Sequence, residues 1–89
     1  MIYCVEDEKN IRELEIYALE ASGFAAVGLE NGRELEQKLA QELPELILLD
    51  IMMPGMDGYQ LLKYMRERVY YSNIPVIVIT GDEKFETKK

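Results

Sequence analysis

Four short apolar runs alternate with three amphipathic stretches along the chain. The first run, Ile2 to Val5, has the length of a strand and stops at Glu6-Asp7-Glu8. From Asn10 to Ala21, the residues Ile11, Leu14, Ala18 and Ala21 recur three and four positions apart, which predicts a helix with those side chains on one face. Asn10 followed by Glu13 has the pattern of a capping box, and Gly23 marks the stop. Phe24 to Leu29 reads as a second strand, weakened by Gly28. Asn31 and Glu34 repeat the capping pattern ahead of Leu35, Leu39 and Leu43. Pro44 then ends this second helix, because the residue before a proline is pushed out of the α region.

Leu46-Ile47-Leu48-Leu49 does not alternate, so a strand there is expected to be covered on both faces, as in a parallel sheet between helices. Its shortness and the turn residues Pro54-Gly55 soon after favour a strand over a buried helical turn. Asp57, with Gln60 three positions on, predicts the cap of a third helix whose inner face is Leu61, Leu62, Met65 and Val69. Pro75 to Thr80 is a second unbroken apolar run, rich in β-branched side chains, with its proline at the tolerated entry position. The whole reads βαβαβαβ, an α/β chain with right-handed crossovers and a parallel sheet.

Size and charge narrow the function. Eighty-nine residues make one small domain. Ten Lys and Arg against seventeen Asp and Glu give a net charge of -7, which argues against nucleic acid or an anionic membrane as primary partner. The apolar runs are far too short to span a bilayer, and Met1 to Val5 lack the features of a secretory leader. Cys4 is the only cysteine and cannot form an internal disulfide; it reads as a small buried hydrophobe within the first strand. A cytoplasmic setting is expected. With no histidine in the chain, chemistry falls to carboxylates, hydroxyls and lysines.

Three strands end in polar residues: Glu6 and Asp7 after the first, Asp50 after the third, Thr80 after the fourth. Open parallel sheets form their sites at the carboxyl edge, where strand order reverses. If the first strand lies between the second and third, Glu6 and Asp7 face Asp50. Three such carboxylates repel unless a cation joins them, and an all-oxygen set suits Mg²⁺ or Mn²⁺ better than Zn²⁺. A nucleotide site is disfavoured because no glycine-rich loop follows Val5. A Mg²⁺-dependent phosphohydrolase lacks its second catalytic acid and its cap, so no turnover enzyme is expected.

Val5-Glu6-Asp7-Glu8, the run Leu48-Leu49-Asp50-Ile51-Met52-Met53-Pro54-Gly55-Met56-Asp57-Gly58, and Pro75 to Thr80 together resemble the receiver domain of two-component response regulators. The resemblance implies a flavodoxin-like, doubly wound sheet. It also implies that Asp50 accepts a phosphoryl group from a histidine kinase or phosphotransfer protein. Asp7 would bind Mg²⁺ directly, Glu6 would act through water, the Met52 carbonyl would complete the protein ligands, and Thr80 would be the switch hydroxyl. Glu6 stands where many members have Asp.

The resemblance covers residues 1–81, with 82–89 left as a tail. The fourth helix, the fifth strand with its terminal lysine and the fifth helix of the family have no counterpart, and Lys88 reads as a solvated tail residue. A truncated structural or interaction fragment without a productive switch is therefore the competing reading. With three helices, two are expected on one face of the sheet and the first helix alone on the other. Val76 to Ile79 would then be an unpaired edge, bare on one face, which predicts a homodimer or a segment exchange.

Overall fold

The computed structural model describes residues 1–50 and 58–79. Seven elements alternate in the expected order: β1 (Ile2–Val5), α1 (Lys9–Ala21), β2 (Ala26–Leu29), α2 (Gly32–Gln41), β3 (Leu46–Asp50), α3 (Gly58–Arg66) and β4 (Val76–Ile79). All three strand pairings are parallel and the sheet order is β2-β1-β3-β4, so the first strand lies between the second and third. This is a doubly wound sheet of the flavodoxin-like kind. Among the described residues no helix is long and apolar enough to cross a membrane.

Alternate residues of each strand face opposite sides. Tyr3, Val5, Leu29, Ile47 and Leu49 share one face and form the buried core with Leu35 and Leu39 of α2, Leu61 and Met65 of α3, and Ile74. The Tyr3 hydroxyl crosses this core to donate to the Glu42 carbonyl just after α2. On the opposite face, α1 packs over β1 and β2, with Ile16 and Arg12 resting on Gly28. Beyond β1 on that side the register aligns Cys4, Leu48 and Ile77. Cys4 is fully buried there, Leu48 partly so, and Ile77 is exposed.

Several local expectations change. Helix α1 starts one residue earlier than its predicted cap, because Glu8 accepts from the amides of Asn10 and Ile11 and so takes the capping role from Asn10. Its inner face is also rotated. Leu14, Ala18 and Ala21 are exposed, while Ile11, Arg12, Glu15, Ile16 and Leu19 turn toward the sheet. Gly23, with φ of 95°, sits just past the helix end, as a chain reversing in the left-handed region requires.

The Asn31 cap is confirmed: its side chain accepts from the Glu34 amide, and Glu34 in turn accepts from Glu30 N. Helix α2 closes at Gln41 and α3 at Arg66, so Leu43 and Val69 fall outside the helices and are exposed. β2 starts at Ala26 instead of Phe24, and Phe24 is likewise exposed. The expectation that both faces of β3 are covered is met on one face only: Ile47 and Leu49 are buried, whereas Leu46 and Leu48 on the other are half-buried, since α1 packs mainly on β1 and β2.

Candidate functional site

Acids from two neighbouring strands gather at the carboxyl edge of the sheet. Glu6 and Asp7 follow β1 directly, and Asp50 is the last residue of β3, the strand beside it. The order reverses around β1: the chain steps outward from β1 to β2, then returns past it to β3. Helices α1 and α3, which follow β1 and β3, pack on opposite faces of the sheet, so the carboxyl edge between these strands is the switch point at which open α/β sheets form their sites. Carboxylate oxygens of Glu6, Asp7 and Asp50 lie within 4.8 Å of one another there. Among the described residues no other such cluster of metal-ligating side chains forms.

Glu6 is held at four points. Its amide donates to the Leu29 carbonyl at 3.0 Å, continuing the β1–β2 ladder one residue past the strand. Its carbonyl accepts from Arg12 Nη1 at 2.8 Å, and its Oε2 accepts from the Glu8 amide at 3.2 Å. Its carboxyl also shares a hydrogen bond with Asp50. Only 2% of Glu6 is exposed. Burial, then the bond to Asp50, and then the negative charges of Asp50 and Glu15 push its pKa up to about 7, against the opposing pull of the Glu8 amide. Near neutral pH the Glu6 carboxyl thus favours a positive charge beside it, either a proton or a metal ion.

The donor set fits a hard divalent cation. All three side chains offer oxygen, and none offers the nitrogen or thiolate that would favour zinc. Oxygens sharing one Mg²⁺ octahedron stand roughly 3–4 Å apart, so a cluster spanning up to 4.8 Å needs only small side-chain adjustments to close on the ion.

The structure therefore brings Glu6, Asp7 and Asp50 together as expected. Thr80, Met52, Asp57, Lys88 and the 81/82 boundary lie outside the described residues. Cys4, two positions before the acid pair, is buried, and burial followed by the Glu15 charge pushes its thiol up to about 11, consistent with a packing role. Arg12 and Glu15 were missed by the hydrophobic periodicity, which registers only apolar side chains. Their signal lay in two adjacent i, i+4 series, Arg12 with Ile16 after the Glu8 cap and Ile11, Glu15, Leu19, which together form the true inner face.

The family model described as the response regulator receiver domain matches residues 2–89. The DNA-binding transcriptional regulator NtrC of Escherichia coli (strain K12) is 39% identical over 81 residues, covering 91% of this chain and 17% of NtrC. The phosphate regulon transcriptional regulatory protein PhoB of the same organism is 39% identical over 85 residues, covering 93% of this chain and 37% of PhoB. The chain thus spans a minor part of either relative. Among solved structures, the signal receiver domain of a signal transduction histidine kinase from Syntrophus aciditrophicus superposes with a TM-score of 0.84 at 32% identity. That alignment covers 99% of this chain and 70% of the other.

Proposed function

The chain belongs to the response regulator receiver domain family, and from that premise we propose that it is a phosphoacceptor module of a two-component system, with Asp50 as the acceptor. The observation that carries this reading is the convergence of Glu6, Asp7 and Asp50 at the carboxyl edge of the sheet, beside the strand where the order reverses. The phosphoryl donor is a phosphohistidine on a cytoplasmic histidine kinase or phosphotransfer protein. An Asp50 carboxylate oxygen attacks phosphorus, the phosphorus–nitrogen bond breaks, and its electron pair leaves with the imidazole. The product is an acyl phosphate on Asp50.

Asp50 is suited to this by its place. The strand end fixes its backbone beside Ile79 of β4, and it remains 9% exposed. Glu6, Asp7 and Asp50 would hold Mg²⁺, or Mn²⁺ in its stead, with the Met52 carbonyl as a further ligand by family resemblance. When bound, that ion neutralises charge on the phosphoryl oxygens during transfer. Glu6 keeps Asp7 and Asp50 in register through its four anchors, and its longer side chain replaces the aspartate common in the family. Thr80 would be the hydroxyl that responds to the modified Asp50. The protein so read is a regulatory module, not a turnover enzyme.

The test is intact-protein mass after exposure to acetyl phosphate with and without Mg²⁺. An added phosphoryl group that needs Mg²⁺ and disappears in Asp50→Asn supports the reading. An adduct mapped to another residue, or none under any condition, overturns it.

A second reading, an interaction fragment with no productive switch, is favoured by one observation: Ile77 in the middle of β4 is 52% exposed. We propose that this face mediates self-association of the 89-residue chain. Sedimentation across a concentration series should show a dimer that Ile77→Lys disrupts, and a wild-type monomer at high concentration would exclude it.

A further inference from the structure

We propose that Arg12 is a positioning residue for the acidic cluster, seated by Gly28 two strands away from Asp50. The inference rests on the reading of Glu6, Asp7 and Asp50 as a cation site. Arg12 lies on the inner side of α1, one turn after the Glu8 cap, and donates through Nη1 to the Glu6 carbonyl at 2.8 Å. That carbonyl belongs to the peptide joining Glu6 to Asp7, so a single guanidinium bond fixes the plane from which both carboxylates depart.

The stem of Arg12 has little freedom. A Cβ added at Gly28 would stand 2.9 Å from Arg12 Cγ and 3.0 Å from Arg12 Cδ, with Ile16 Cδ1 at 2.7 Å. The Ile16 terminus is free to rotate aside, but Cγ and Cδ lie in the middle of the arginine chain and move only if its head moves too. The bare backbone of Gly28 is thus the seat that directs Arg12 toward Glu6. Gly28 pairs with Cys4 in the sheet, so the seat is fixed to the same strand that carries the acids. Lys9, the nearest preceding cation in sequence, points instead to Glu13 at 3.9 Å on the exposed side of the helix.

Charge and position predict opposite outcomes, and this makes the proposal testable. Arg12→Met keeps most of the stem and removes a positive charge near a cation site, so charge alone predicts tighter metal binding. Positioning predicts weaker binding, by about tenfold, the scale on which outer partners of metal ligands act. Gly28→Ala leaves the charge in place and should weaken binding in the same direction, while Arg12→Lys should recover part of the loss.

Mn²⁺ titration read from paramagnetic broadening of the Glu6 and Asp7 amides gives the affinities. Hydrogen exchange of the Glu6 and Glu8 amides, compared with those of Tyr3 and Ile47, gives a metal-free readout. Weaker Mn²⁺ binding in Arg12→Met and Gly28→Ala, with faster exchange confined to Glu6 and Glu8, is the expected result. Unchanged or tighter binding, or acceleration that extends equally to Tyr3 and Ile47, overturns the proposal. Should the wild type bind no Mn²⁺ at these residues, the cation reading fails separately, and the exchange comparison alone decides the role of Arg12.

Discussion

On the face of the sheet covered by α2 and α3, Tyr3, Val5, Ile47 and Leu49 are all exposed by 1% or less. On the α1 face burial is complete at Cys4, partial at Leu48, and gives way to 52% exposure at Ile77. The strand residues are equally apolar on both sides. What differs is cover: α1 sits over β1 and β2 only, whereas the core of the other face extends from Leu29 to Leu49 beneath two helices. A strand's composition fixes what it is able to bury, and the helices decide what it does bury. The acidic site lies at the α1-side edge, where Arg12 marks the limit of that helix's reach.

The sharpest way to break this asymmetry is to cut a cavity in the covered face. Leu49→Ala should cost about 3 kcal/mol, because the site is enclosed and collapses only in part. Urea unfolding would measure it as a lower midpoint at unchanged slope. Loss of the cooperative transition altogether would also be in line with a small domain of modest reserve.

The site edge should respond to pH. Glu6 has a folded pKa of about 7 against an ordinary value of 4.5, so between those limits the folded chain holds a proton that the unfolded chain has released. Stability from this group is therefore full below about pH 4.5 and is lost as pH rises through 7, by on the order of 1–3 kcal/mol. Wild type should lose stability relative to Glu6→Gln between pH 5 and pH 7.5 without divalent metal, measured by urea unfolding at each pH. Mg²⁺ should restore part of it at the upper end. A wild-type-to-variant difference that stays constant with pH would contradict the burial of Glu6.

Smaller effects refine the picture. Asn31→Ala removes the bond to the Glu34 amide at the start of α2 and should cost about 1 kcal/mol, seen as a drop in thermal midpoint. Ile77→Ala, on the open face, should cost well under the Leu49 value, about 1 kcal/mol or less, in dilute protein. Equal losses at Leu49 and Ile77 would mean that the open face is covered in solution.

Most of the architecture was legible because apolar runs and caps carry local information. Asn31 caps α2 as its spacing predicts, while Glu34 reaches back one residue further, to the Glu30 amide, and the unbroken Leu46–Leu49 run does lie inside a parallel sheet. The face of α1 was misjudged for a physical reason. Leu14, Ala18 and Ala21 satisfy helical spacing as well as Ile16 and Leu19 do, and the tie is resolved by Arg12, whose aliphatic stem covers Gly28 while its head reaches a carbonyl. Glu8 displaced Asn10 as cap because its longer side chain reaches two amides of the first turn. At the site, the meeting of Glu6, Asp7 and Asp50 followed from strand order. The near-complete burial of Glu6 did not, since it depends on tertiary contacts to Leu29, Arg12 and Asp50.

The central place of β1 also shapes how the molecule must be made. Of the four described strands, the one synthesised first needs partners on both sides, and its pairing with β3 joins Ile2 to Leu46 across 44 residues of chain. During translation the β3 side of β1 stays unpaired until β3 has left the ribosome, and Glu6 cannot meet Asp50 before then. Early β1–β2 pairing under α1 shields one edge of it in the meantime. Slow pairing of β1 with β3, with apolar surface exposed until it forms, follows from that delay.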